Sequence, residues 1–247
     1  MLKKFKADLH IHTCLSPCAD LEMSPLSIVK TASSKGIDII AVTDHNSAEN
    51  IIAVINAAKG SDVTVLAGME IASSEEAHIL ALFDDIDSIL SLQEIIYKNL
   101  LPGENDEKRF GEQIVVNADD EVEYFNKKLL IAATALEAGS IVNTIHSLGG
   151  IAVASHVDKT TFSIISQLGF IPEDLLFDAL EMSPNISRKN ANQSFKKYDT
   201  AAWVSSSDAH RISEIGQRTN FFYMKHPTLQ EMKLALEKID GRKVEWR

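Results

Sequence analysis

Short apolar runs of strand length alternate with amphipathic stretches of helix length along most of this chain, which narrows the fold to parallel α/β architectures. Phe5–Ile11 reads as the first strand, because Ala7, Leu9 and Ile11 alternate with Asp8, His10 and His12. Ser24 and Pro25 then open a helix as N-cap and first residue, and Gly36 stops it. Asp38–Thr43, Thr64–Ile71 and Ile79–Phe83 are the next strands. Ile151–Ser155, Ala179–Met182 and Ala202–Ser205 follow later, with Phe221–Met224 as a further candidate. Helices are expected over 48–58, 87–100, 140–148 and 227–238, the last with Leu229, Met232, Leu236 and Ile239 on one face. The pattern predicts a parallel, barrel-like α/β sheet in a single domain.

One stretch breaks the alternation. Residues 84–137 read as an insertion: a helix, a polar loop over Pro102–Glu112, and a hairpin of Gln113–Asn117 and Glu121–Phe125 around Ala118-Asp119-Asp120. Its acidic loops suit a lid, a subunit contact or plain solvated surface. The chain carries 24 Lys and Arg against 35 Asp and Glu, a net charge of −11, which disfavours a long nucleic-acid track. No run approaches the length of a membrane span. The N-terminal residues enter a strand without a signal-type apolar region, so a cytoplasmic location is the expectation. Cys14 and Cys18 are too few for a disulfide framework.

The chemistry gathers at strand ends. Of 8 histidines, His10, His12, His45, His156 and His210 stand at or just past the C-terminal end of an expected strand, and His78 begins one. Asp8, Asp44, Glu70, Glu181 and Asp208 occupy similar places, the end at which α/β barrels carry their active sites. In His10-Ile11-His12, residues i and i+2 point the same way, so both imidazoles can serve one metal. Asp8, on the same face behind them, is expected to fix a histidine tautomer. Asp44 is expected in the same supporting role, although Asp and Asn after a strand also suit a helix-capping loop. Glu70 and Glu181 lie on buried-looking strands, where a carboxylate is costly unless paired or metal-bound. Mixed histidine and carboxylate donors suit Zn, Mn or Fe, and adjacent metals suit attack on a phosphate ester.

The ordered motifs Asp8-Leu-His10-Ile-His12-Thr, Thr43-Asp44-His45, Glu70, His78, His156 and Ser207-Asp208-Ala-His210 resemble those of the PHP (polymerase and histidinol phosphatase) family, over about residues 7–224. The resemblance implies a distorted (β/α)7 barrel with two or three divalent metal ions at the C-terminal ends of its strands. It implies His10, His12, Glu70 and Asp208 around a first metal, and Glu70, His78 and His156 around a second, with a metal-bound water held by Glu70 and Asp208. His45 and His210 would hold a third, completed by a residue of the loop after His12. Asp20, four before Ser24-Pro25, is the favoured ligand there, and Cys18, six after His12, is the alternative. Both cysteines also suit small buried positions.

The leading expectation is a metal-dependent phosphoesterase acting on a small phosphorylated substrate, with Arg188, Arg211, Arg218 and Lys159 as candidate phosphate-binding groups. A 3′–5′ exonuclease on short oligonucleotides is a second reading, and a non-catalytic module binding metal or a phosphorylated ligand a third. The sequence does not choose the substrate, the metal or an oligomeric state.

Overall fold

A computed structural model describes residues 1–246. Its elements in chain order are β1 (Lys3–Ile11), α1 (Pro25–Ser34), β2 (Ile39–Val42), α2 (Ile51–Ala57), β3 (Thr64–Ala72), β4 (His78–Phe83), α3 (Ile86–Asn99) and α4 (Glu107–Phe110). Then come β5 (Ile114–Val116), β6 (Val122–Phe125), α5 (Ala138–Ser147), β7 (Ile151–Ala154), α6 (Ile164–Leu168), β8 (Ala179–Met182), α7 (Arg188–Ser194), β9 (Trp203–Ser205), β10 (Asn220–Met224), α8 (Leu229–Leu236) and β11 (Lys243–Trp246). Ser24 caps α1 by accepting the Ser27 amide, and Pro25 occupies the first turn, where its missing N–H costs nothing.

The strands form one barrel-shaped sheet in the order β11-β10-β1-β2-β3-β4-β7-β8-β9. At the end that carries the donors, β1 also joins the segment after β9: the His12 amide donates to Ala209 O at 3.0 Å and the Ala209 amide to His10 O at 3.2 Å. Seven strands therefore surround that mouth. The antiparallel hairpin β10–β11 lies beside β1 at the opposite end. The sequence pattern stops at the closing helix and does not anticipate β11. The barrel interior holds Leu9, Ile39, Leu66, Leu82 and Val153, and α8 plugs the lower end by adding Leu229, Met232 and Leu236 to that cluster. A larger apolar layer, with Ile28, Val54, Ile89 and Ile141, packs the helices against the outside of the sheet.

Two local features aim the chemistry. β4 runs antiparallel to both β3 and β7, so its first residue, His78, sits opposite Ala72 at the same mouth as the other strands' last residues. The β1–β2 register shifts between Asp8 and Ile11, a bulge. Below it Leu9 faces the barrel interior, whereas above it Ile11 joins the outer layer. The extra residue reverses the facing, so His10 and His12 turn inward without Asp8.

Residues 84–137 pack against the loop after β1 and the segment after β2. Leu15 is buried with Val115 and Leu130, and Cys14 with Ile114 and Val116. Asn50 donates to Ile114 O and accepts from the Val116 amide, both at 3.0 Å, while Asn46 donates to Leu130 O and Ala132 O. Asp120 accepts from Ser24 Oγ and the Leu26 amide, tying the hairpin turn to α1.

Candidate metal centre

Glu70 is the hub of the mouth. Its Oε1 lies 3.0 Å from His78 Nδ1, 3.2 Å from His156 Nε2 and 3.4 Å from His10 Nε2. Its Oε2 lies 3.1 Å from His45 Nδ1 and 3.4 Å from His12 Nε2. Asp208 Oδ1 lies 3.3 Å from His10 Nε2 and 3.5 Å from His12 Nε2. Glu70, His10 and His12 are buried, so water does not dilute these interactions. Against the opposing effect of burial, His78, His10 and His45 hold the Glu70 carboxyl well below its ordinary range. Glu181, Asp208 and Glu70 raise His10 against the same burial effect, whereas burial and the neighbouring His210 press His12 down to about 3.

Hydrogen bonding fixes which ring atoms face the centre. His10 Nδ1 donates to Glu181 Oε2 at 2.9 Å, which leaves its Nε2 pointing inward. Ser16 Oγ donates to Asp44 Oδ1 at 2.7 Å and so accepts from His12 Nδ1 at 2.9 Å, turning His12 Nε2 inward as well. The two Nε2 atoms are 3.1 Å apart. Two imidazole lone pairs and two carboxylates thus converge with separations of 3.1–3.5 Å. The edge of a tetrahedron around a metal with ~2.0–2.1 Å bonds is about 3.3 Å. Four acceptors aimed at one point repel unless a cation lies between them, and this set fits one. His12, His45 and His210 form a second close-set donor group, and His45, Glu70 and His78 a third.

The backbone is strained at two donors. His156 has φ 29° and Asp208 φ 51°, left-handed values that a non-glycine residue adopts only when its surroundings impose them.

The supporting acids divide their work differently from the expectation. Asp8, turned away by the bulge, accepts the amides of Ser207 and Gly216 at 3.0 and 2.8 Å and thereby holds the loop carrying Asp208. Burial pushes its carboxyl up to about 6. The tautomer-fixing role expected of Asp8 falls to Glu181. Asp44 accepts from the Thr13 amide, Thr13 Oγ1 and Ser16 Oγ, each at 2.7 Å, and acts on His12 through Ser16. Ser16 has no sequence signal, since it stands in a loop without periodicity.

The loop and clamp candidates also separate. Asp20 is half exposed, pairs with Arg211 at 3.5 Å and belongs to none of the close-set donor groups among the described residues. Cys18 is exposed, unlike the small buried position expected for it, and lines the mouth with His45 and His210. Like Asp20 it belongs to none of the close-set donor groups among the described residues, and the surrounding protein together with Glu70 pushes its thiol up to about 12. Cys14 is buried under the hairpin. Lys159 Nζ pairs with Asp208 Oδ2, and Arg211 stands at the rim of the adjoining cleft. Arg218 and Arg188 do not reach the mouth. Arg218 is committed to Pro184 O and Ile186 O, and Arg188 lines a separate hollow with Trp203 and Trp246. Position after a strand does not fix which way a long side chain turns.

The mouth opens into a cavity of about 240 Å³ whose walls include Glu70, His156, Ile131 and Phe162. A neighbouring cleft of about 290 Å³ shares Lys159, Asp208 and His210 and adds Asn185 and Gln217. A larger cavity, about 620 Å³ beside Phe170 and Tyr198, contains none of the donors.

The chain matches the PHP domain model over residues 8–173 and belongs to that family. It is 38% identical over 103 residues to an uncharacterized protein of Methanocaldococcus jannaschii, covering 38% of this chain and 60% of that one. It is 21% identical to the uncharacterized protein YqxK of Bacillus subtilis, covering 98% of this chain and 64% of that one. The chain therefore spans about 60% of the length of these curated relatives. In fold it is similar to the lesion-specific endonuclease PfuEndoQ from Pyrococcus furiosus, with a TM-score of 0.77 at 18% identity over 98% of this chain and 58% of that one. A Bifidobacterium adolescentis protein assigned as a metal-dependent phosphoesterase has a TM-score of 0.57 at 16% identity, over 83% of this chain and 87% of that one.

Proposed function

We propose that this chain is a metal-dependent phosphoesterase, hydrolysing a small phosphorylated substrate. The observation that carries the reading is the convergence of His10, His12, Glu70 and Asp208 at cation-fitting separations. These four would hold the first ion, and Glu70 with His78 and His156 the second. His45 and His210 would hold a third together with His12, the group whose ring nitrogens lie close together, while neither Asp20, which faces Arg211, nor Cys18 on the rim joins that group. Zn, Mn and Fe all accept such donors. Divalent ions bound there would lower the pKa of a coordinated water and neutralise charge on the phosphoryl oxygens.

The chain's own residues supply the rest. Glu181 and Ser16 fix the inward-facing nitrogens, and Asp8 and Asp44 hold the loops behind them. Lys159 is kept cationic by Asp208 and can pair with a phosphoryl oxygen, which makes it a charge partner rather than a proton donor. Arg211 at the rim is the second candidate for that task. In the reaction one oxygen–phosphorus bond forms from water, one ester bond breaks, and the departing alcohol carries a proton that water gave up.

A nucleic-acid phosphodiester is the second reading. PfuEndoQ is an endonuclease, and a second endonuclease Q structure with a TM-score of 0.77 holds a 27-mer duplex. The net charge of −11 weighs against a long track. The test is phosphate release from phosphomonoesters, cyclic phosphodiesters and oligonucleotides with Mn, Zn or Fe(II), using His12→Ala as the control. Release that disappears in the variant supports the reading. No release from any substrate by a protein that binds the ions would replace it with a non-catalytic binding module.

A further inference from the structure

Phe162 combines two unfavourable features at the rim of the metal centre. Its φ is 57°, a left-handed value that is a true outlier for a bulky aromatic residue. Its side chain is 47% exposed. Strain and exposure at one residue persist only where neighbours impose them, and such positions cluster at binding sites.

Several contacts impose this one. Phe162 O accepts the His78 amide at 2.9 Å. The ring stacks on the His78 imidazole with centroids 5.0 Å apart and planes 17° from parallel. The next residue, Ser163, caps α6 through a reciprocal pair with Ser166, and its hydroxyl donates to Lys159 O at 2.8 Å. The loop from Lys159 to Ser163 is thus fixed at both ends, with the phenyl ring over the cavity and the Lys159 ammonium beside Asp208. His78 is itself held to Glu70, so ring and donor cluster are mutually oriented.

From this geometry we infer that Phe162 is a stacking platform that selects phosphate esters carrying a planar aromatic group, such as a nucleobase, close to the scissile phosphate. One side of the ring lies on His78, and the remaining exposed surface offers a π-face to a second flat ring. A flat face accepts any base, so the selection is for planarity and not for one hydrogen-bonding pattern. Ile131 adds a further apolar surface to the same cavity. The inference rests on the phosphoesterase reading for the reaction but not for the binding, and the experiment separates them.

The measurement is a ratio. The metal-loaded protein would be assayed on a nucleoside monophosphate and on glycerol phosphate, and the kcat/KM ratio compared between wild type, Phe162→Ala and Phe162→Trp. Disturbance of His78 affects both substrates and cancels. Phe162→Ala is expected to lower the nucleotide preference about tenfold or more, mainly through KM, and Phe162→Trp to restore it. Calorimetric titration of the same nucleotide into the metal-loaded proteins gives a readout without turnover, with binding expected to weaken about tenfold in Phe162→Ala. If wild type hydrolyses neither ester, the phosphoesterase reading fails, yet a Phe162-dependent affinity would still uphold the platform. An unchanged ratio where turnover occurs, or an unchanged nucleotide affinity, overturns it.

Discussion

Asp44→Asn tests how far the centre depends on residues that do not touch it. Asp44 is buried, and its three acceptor contacts are each 2.7 Å long. Asparagine keeps the shape and presents one oxygen to the Thr13 amide and Ser16 Oγ, but loses the acceptor for Thr13 Oγ1. Thr13 Oγ1 cannot simply reverse its role, since it already accepts from Asn50 and the Leu15 amide. One charge-assisted bond worth about 2 kcal/mol disappears and two others weaken by about 1 kcal/mol each. Relief from burying a charge, which burial already opposes by raising this carboxyl's pKa, offsets part of that. The net loss is about 2–3 kcal/mol, or roughly 5–10 °C in Tm for a chain of this size. Because Ser16 orients His12, metal affinity should also fall by about 10- to 100-fold. Thermal melts and calorimetric titration with Mn or Zn measure the two effects. A variant with wild-type Tm and wild-type metal affinity would refute the relay from Asp44 through Ser16 to His12.

The remaining predictions concern other links. Glu231 accepts a two-pronged pair from Arg242 at 2.8 and 2.9 Å, which holds its carboxyl down to about 2. A folded pKa below the unfolded one means stability that is present above about pH 4.5 and lost as the pH falls toward 2, so Arg242→Met should move acid unfolding to higher pH; an unmoved midpoint counts against the pair. Gly68→Ala would place a methyl 2.7 Å from both Thr43 Cγ2 and Val42 O, prying β2 from β3 below His45 and Glu70. It should cost about 1–3 kcal/mol in urea melts and depress turnover, whereas wild-type behaviour in both would show the contact to be soft. Arg211→Ala should reduce kcat/KM about tenfold and Arg188→Ala leave it unchanged; equal effects would contradict the placement of the two side chains.

What the sequence made legible follows period and order. The strands could be found because apolar residues alternate along them, and the donors because they sit where each alternation ends. His78 fitted although it begins its strand, since an antiparallel β4 brings that end to the same mouth. The bulge in β1 was not legible: period-2 counting places Asp8 beside His10, and one extra residue separates them. The loop from Thr13 to Pro25 has no period: spacing to Ser24-Pro25 favoured Asp20 over Cys18, but Asp20 turns to Arg211, and nothing in the loop pointed to Ser16. Residues 84–137 stood out as a break in alternation, but their docking through Asn46 and Asn50 depends on contacts made across 64 to 86 residues. β11 was missed because four residues beside a polar turn carry too little pattern.

The closure of the mouth has a consequence for how the protein is made. The Ser207 amide meets Asp8 across 199 positions of sequence, and the same seam sets Asp208 against His10 and His12. A growing chain that has released its first strand still lacks a donor until almost all of the barrel has been synthesised. An ion held by His10, His12, Glu70 and Asp208, as proposed, would therefore be captured late, and it would favour the closed barrel by an amount that grows with the ratio of free ion to dissociation constant. Metal supply would then act as a check on closure: fragments ending before Asp208 could not form the first site, and chains that contain it would gain stability with the logarithm of the free ion concentration.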